Sequence, residues 1–157
     1  MDLSFGNILD HLIKFEIEFI VVGGVAVVLN GYQRNTLDVD VIVPSGERSA
    51  ELLSKALEDF GEGWGKDITG EDLDERPGAL RVYEPTMHTT IDVFTQNGGF
   101  TYDDLLEESE VYSRDSRTFR YASKEQLIAI KSSSQRDKDR IDISAMKQLI
   151  ENPNAFD

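Results

Sequence analysis

The chain has 157 residues, 16 Lys plus Arg against 30 Asp plus Glu, a net charge of −14, 39% hydrophobic content and no Cys. That is one domain's length, enough to bury roughly two-thirds of the unfolded surface without a disulfide or structural metal. The absence of Cys excludes thiolate nucleophiles and Cys-held zinc or iron–sulfur clusters, and two separated histidines, His11 and His88, argue against a His-rich centre, so any metal would be held by oxygen.

The N-terminal stretch opens with an acid and carries acids among its apolar residues, which fits neither a secretory nor a transit peptide. No apolar run approaches the roughly 20 residues of a membrane span. A cytoplasmic protein away from membranes is expected. Phe5, Ile8, Leu9, Leu12 and Ile13, spaced three and four apart, predict an amphipathic helix over Leu3–Phe15 with Ser4 as a candidate cap and His11 on its polar side. Phe19–Val22 is a short apolar, largely β-branched run ending at Gly23-Gly24, which predicts a strand buried on both faces. Val25–Leu29 followed by Asn30-Gly31 predicts a short helix with a C-terminal cap.

Asp38-Val39-Asp40-Val41-Ile42-Val43 alternates acid and apolar residues before turning wholly apolar, the pattern of a strand with one charged face near its start. A helix from a Ser45 cap to about Phe60 would bury Ala50, Leu53, Ala56, Leu57 and Phe60. Residues 61–79, rich in Gly and acids around Trp64, predict a long mobile loop, whose Trp could stack on a ring or simply anchor the loop. Ala79–Tyr83 and Thr89–Phe94 predict an antiparallel hairpin beside the Asp38 strand, with His88 in a loop. A short helix over Tyr102–Glu108, a strand over Thr118–Tyr121, and helices from Ser123 and from about Arg136 to Ile150 follow, the last burying Ile141, Ala145, Met146, Leu149 and Ile150.

Residues 114–147 hold nine of the sixteen cations and five acids. The body is strongly acidic, which opposes a general grip on a nucleic-acid backbone, whereas this basic segment is either a solvated mixed-charge face or a lobe for a smaller polyanion.

Asp38 and Asp40, two apart on a strand, send their carboxylates to one face about 6.6 to 6.8 Å apart along the chain. Oxygen ligands so placed can share divalent ions for in-line phosphoryl transfer. Asp92 is a third acid inside an apolar strand. Three such acids on neighbouring strands would repel one another without cations between them; the alternative is that each sits in water or pairs with an arginine such as Arg34. Gly23-Gly24, thirteen residues earlier, lets backbone approach a phosphate or simply makes a tight turn. Asp139 and Asp142, three apart, read as helix-surface partners or orienters of Arg136, Lys138 and Arg140.

Val22-Gly23-Gly24, Arg34-Asn35-Thr36-Leu37-Asp38-Val39-Asp40-Val41-Ile42-Val43, the later Asp92, and Arg136-Asp137-Lys138-Asp139-Arg140-Ile141-Asp142-Ile143 together resemble the signature of the DNA polymerase β-like nucleotidyltransferase superfamily. More narrowly, the pattern is similar to the small bacterial AbiEii-like proteins, often toxins of type IV toxin–antitoxin pairs. The resemblance implies an α/β (α+β) nucleotidyltransferase fold: a mixed, mostly antiparallel sheet flanked by helices, with a C-terminal helical pair. It implies one domain over 1–157, with a catalytic sheet lobe at about 1–112 and a basic strand and helices at about 113–157. Asp38, Asp40 and Asp92 would hold two Mg²⁺ (or Mn²⁺) ions and carry the chemistry, Asp92 helping to deprotonate the acceptor. Gly23 and Gly24 would line the triphosphate, Arg34 and Thr36 would flank the nucleotide, and Lys131, Arg136 and Lys138 would face the phosphates. The implied activity is NMP transfer from an NTP to a hydroxyl of RNA or tRNA, a protein or a small molecule, with an antitoxin as a candidate partner. The rival is a non-catalytic nucleotide-binding or protein-interaction module on the same fold.

Overall fold

Short β-branched runs become the inner strands of the sheet because they can be buried on both faces. The computed structural model describes residues 3–36, 38–58, 67–74, 77–85 and 88–157. Helix α1 (Leu3–Lys14) buries Phe5, Ile8, Leu9 and Leu12, the face its apolar spacing predicts. Strand β1 (Ile20–Val22) is wholly buried and runs into helix α2 (Gly23–Leu29). Asn30 closes that helix and donates its side-chain amide to the Ala122 carbonyl at 2.9 Å, tying its end to a distant part of the chain. Strand β2 (Asp38–Ile42) follows, then helix α3 (Glu47–Ala56).

Helix α3 differs from expectation at both ends. Gly46 rather than Ser45 occupies the cap, and the helix stops at Ala56 with Leu57 still buried; Phe60 lies outside the described residues. The stretch expected to be a mobile loop contains a 3-10 turn, Gly70–Leu73, started by a reciprocal Thr69–Asp72 capping box. Ile68 and Leu73 are buried in the core, so part of this polar segment is anchored; Trp64 lies outside the described residues.

Strands β3 (Leu80–Glu84) and β4 (Thr89–Phe94) form the expected antiparallel hairpin. A two-strand ribbon, β5 (Gln96–Asn97) with β6 (Phe100–Thr101), leads to helix α4 (Tyr102–Leu106). Strand β7 (Glu110–Arg114) pairs with β8 (Arg117–Tyr121). Sequence reading did not anticipate β7, because an exposed edge strand with charged ends has little hydrophobic signature. Helices α5 (Lys124–Lys131) and α6 (Asp137–Glu151) complete the expected pair.

The six-stranded sheet has the order β3-β4-β2-β1-β8-β7. Neighbours β2 with β4 and β1 with β8 are parallel; the other three pairings are antiparallel. The observed fold is therefore the mixed, mostly antiparallel sheet flanked by helices. Among the described residues, no helix is long and apolar enough to cross a membrane. Two expected core positions are out of phase: Ile141 is 54% exposed and Ile150 is exposed, whereas Asp139 and Asp142 lie on the buried face of α6 with Ala145, Met146 and Leu149.

Candidate active site

The side-chain alternation of β2 sends Val39 and Val41 into the core and leaves Asp38 and Asp40 on the opposite face. Because β4 runs parallel to β2 with Asp40 beside Asp92, the third carboxylate joins the same face. The expected convergence of Asp38, Asp40 and Asp92 is thus a consequence of strand register. Burial, followed by repulsion from Asp92 and Asp38, pushes Asp40 up to about 7, against the opposing pull of Lys131. Its Oδ1 is buried without a hydrogen-bond partner. Among the described residues, Lys131 is the cation whose field opposes this shift, and it does not cancel it.

A cation already stands on the neighbouring acid. Arg81 of β3 is the cross-strand partner of Asp92. Its Nε and Nη2 donate to Asp92 Oδ1 and Oδ2 at 2.8 and 2.9 Å, and Nη2 lies 3.8 Å from Asp38 Oδ2. Asp92 is 7% exposed in its side chain, while Arg81 is 65% exposed, so a surface guanidinium neutralises a buried acid. The interaction raises the Arg81 pKa further above its already high ordinary value. The described residues contain no group of three His, Asp or Glu gathered for a metal ion. The donors themselves are all carboxylate, a set suited to Mg²⁺ or Mn²⁺. Sequence reading looked to Arg34 for a partner to the acids and missed Arg81. The signal lay in the hairpin, whose pairing of Tyr83 with Thr90 makes Arg81 face Asp92.

The diglycine borders this face. Gly23 has φ +64, and a Cβ there would run into the Asp40 carboxylate. At Gly24, a Cβ would meet Arg34 Nη2 at 2.8 Å and Thr36 Oγ1 at 2.9 Å. Both glycines therefore admit a close approach that any side chain would block. Thr36 donates its hydroxyl to the Asp38 carbonyl at 3.2 Å, joining the segment after α2 to the start of β2.

A family model for nucleotidyl transferases of unknown function (DUF2204) matches residues 3–156, nearly the whole chain. The chain belongs to this family. No curated protein matches it in sequence. Among solved structures, this DUF2204 member is similar in fold to a lincosamide antibiotic adenylyltransferase, LnuA, with lincomycin bound: TM-score 0.64, 17% identity, 95% of this chain and 98% of that one. It is also similar to an antigenic nucleotidyltransferase-like protein from Paracoccidioides brasiliensis: TM-score 0.50, 19% identity, 88% of this chain and 71% of that one. At these identities the likeness speaks for the nucleotidyltransferase fold.

The C-terminal helices of this DUF2204 chain bring cations to the acids through a buried ion network. Lys131, at the end of α5 and 8% exposed, lies 3.0 Å from Asp139 and 3.2 Å from Asp142. Asp142 is fully buried and also holds Arg34, whose Nη2 donates to Oδ2 at 3.1 Å while Nε lies 3.0 Å from Oδ1 as an ion contact without hydrogen-bond alignment. Burial alone would raise the Asp139 pKa, but hydrogen bonds from Arg136, Ser134 and Lys131 hold it well below the usual carboxylate range. Asp139 and Asp142 are therefore interior counter-ions that position Lys131 and Arg34, which corrects the reading of them as surface pairs. Gly23 lies against Asp40, Thr36 holds the Asp38 backbone, and Lys131 acts on Asp40, while Arg34 and Gly24 lie against each other, with Arg34 held by Asp142. Arg136 joins only through Asp139, and among the described residues no ion pair links the exposed Lys138 to Asp38, Asp40 or Asp92.

On the outer side of Arg34 and Thr36 lies an open groove of about 940 Å³, floored by Val25 and Val28 and walled by Tyr112, Tyr121 and Arg114. Among the described residues its lining carries two arginines and no acid, in a chain of net charge −14.

Proposed function

We propose that this chain is a metal-dependent nucleotidyltransferase that moves an NMP group from an NTP to a hydroxyl acceptor. The observation that carries the reading is the in-register pairing of Asp40 with Asp92, with Asp38 on the same face, which leaves Asp40 short of a counter-charge. Asp38, Asp40 and Asp92 would hold the divalent ions, which supply charge neutralisation when bound. Gly23 and Gly24 would let the triphosphate lie against the backbone, while Lys131, held by Asp139 and Asp142, would face it with positive charge. Asp92 would take the proton of the acceptor hydroxyl as its oxygen bonds to the α-phosphorus; the bond from that phosphorus to the bridging oxygen breaks, and pyrophosphate leaves. Phosphoryl-type transfer needs positioning and neutralisation more than covalent help. These side chains supply both.

The groove beside Arg34 and Thr36 is of a size and character to take a ring-bearing group, from the nucleotide or the acceptor. A toxin role of the AbiEii-like kind, with an antitoxin partner, goes with transfer to RNA, tRNA or a protein; LnuA, an adenylyltransferase solved with lincomycin, makes a small-molecule acceptor the competing choice. Incubation with each α-labelled NTP, Mg²⁺ and separated pools of RNA, protein and small molecules tests both the activity and the acceptor. Label should enter one pool and vanish with the Asp38→Ala, Asp40→Ala double variant. Nucleotide binding without transfer to any pool would favour the non-catalytic module and overturn the enzymatic reading.

A further inference from the structure

We propose that Arg81 is a built-in stand-in for the catalytic cation, neutralising Asp92 until metal and nucleotide arrive and leaving it when they do. This rests on the metal-dependent reading of the three acids. Four features of the geometry carry it. Arg81 saturates both oxygens of Asp92 in a two-pronged contact and extends towards Asp38, spanning the space between the first and third acids. It reaches them from edge strand β3 with a largely exposed side chain, so it can swing into water without disturbing the core. Asp40, which Arg81 does not bond, is the acid left without a hydrogen bond on Oδ1. Finally, among the described residues no group of three His, Asp or Glu is gathered for a metal ion. Each Asp92 oxygen keeps a second lone pair, so what opposes a dication there is the guanidinium's positive charge at close range. Loading works against Arg81, whose exposed side chain can withdraw, and this lowers the affinity for bare metal and favours metal delivered with a polyphosphate.

The test is a Mn²⁺ titration of the full chain followed by electron paramagnetic resonance, without nucleotide and then with a non-hydrolysable NTP analogue. Arg81→Gln removes the competing charge but can still donate one hydrogen bond to Asp92; Arg81→Lys keeps the charge without the two-pronged grip. The expected result is nucleotide-free Mn²⁺ binding about tenfold tighter in Arg81→Gln than in the unaltered chain, with Arg81→Lys between them. The analogue should strengthen Mn²⁺ binding more in the unaltered chain than in Arg81→Gln. Circular dichroism checks that each variant is folded, and if Arg81→Gln does not fold, Arg81→Lys decides. Equal or weaker Mn²⁺ binding in the folded variant, beside clear binding by the unaltered chain, overturns the stand-in role alone. Absence of Mn²⁺ binding by every chain, even with the analogue, removes the metal-dependent reading and this inference with it.

Discussion

Replacing Asp40 with Asn should stabilise the metal-free protein above neutral pH. Asp40 titrates at about 7 in the fold against an ordinary 3.8, with burial the leading cause. Below pH 3.8 the carboxyl is protonated in both states and costs nothing. Between 3.8 and about 7 the folded state holds a proton that the unfolded state has released, so stability falls as pH rises; above about 7 the full penalty remains. The displacement of about three pH units, at about 1.4 kcal/mol each, corresponds to a penalty of up to about 4 kcal/mol, and relaxation or water entry would leave about 2 to 4 kcal/mol. In a chain of this size each kcal/mol moves the melting midpoint by about 2–4 °C. Asp40→Asn should therefore melt several degrees above the unaltered chain at pH 8.5, and the two curves should converge below pH 4. Differential scanning calorimetry across pH, with chelator present, measures this. Equal midpoints at pH 8.5, or a gap that does not shrink as pH falls, would refute the claim that Asp40 is a half-buried charge short of counter-charge.

Two further substitutions probe the scaffold. Asp142→Ala removes a fully buried carboxylate from between Arg34 and Lys131 and should cost about 3–5 kcal/mol in urea unfolding; a loss under about 1 kcal/mol would mean that the two cations find other partners. Leu73→Ala deletes a core side chain from the polar segment after α3 and should cost about 2–5 kcal/mol, whereas no change would be expected of an unanchored loop.

The acids of the site were legible because strand alternation is a property of the chain itself: Asp38 and Asp40 must share a face if Val39 and Val41 are buried. Asp92 could be named as an acid in an apolar strand, but its place beside Asp40 comes from the parallel pairing of strands about fifty residues apart, which no local pattern states. Arg81 escaped notice for a related reason. Within Leu80–Glu84 it looks like any exposed strand cation, and only the hairpin register sets it against Asp92. In α6 the signal was present but misread. Asp142 stands four before Met146 and seven before Leu149, on the helix's buried stripe, whereas Ile141 is one position out of phase; hydrophobicity suggested the isoleucine and geometry chose the acid. The anchored part of residues 67–74 was hidden because two apolar residues, Ile68 and Leu73, are too few to outweigh a composition rich in Gly and acids.

The clasp between Arg34 and Asp142 joins residues 108 positions apart. On the ribosome, the strands bearing the three acids, with Arg81, are made before Lys131 and Asp142 exist, so between residues 92 and 131 the complete acidic face waits for the charges of the C-terminal helices. Contacts of such long separation form late. The nascent chain can assemble its inner strands early, but the proposed polyphosphate site is complete only once the last helix has been synthesised and docked.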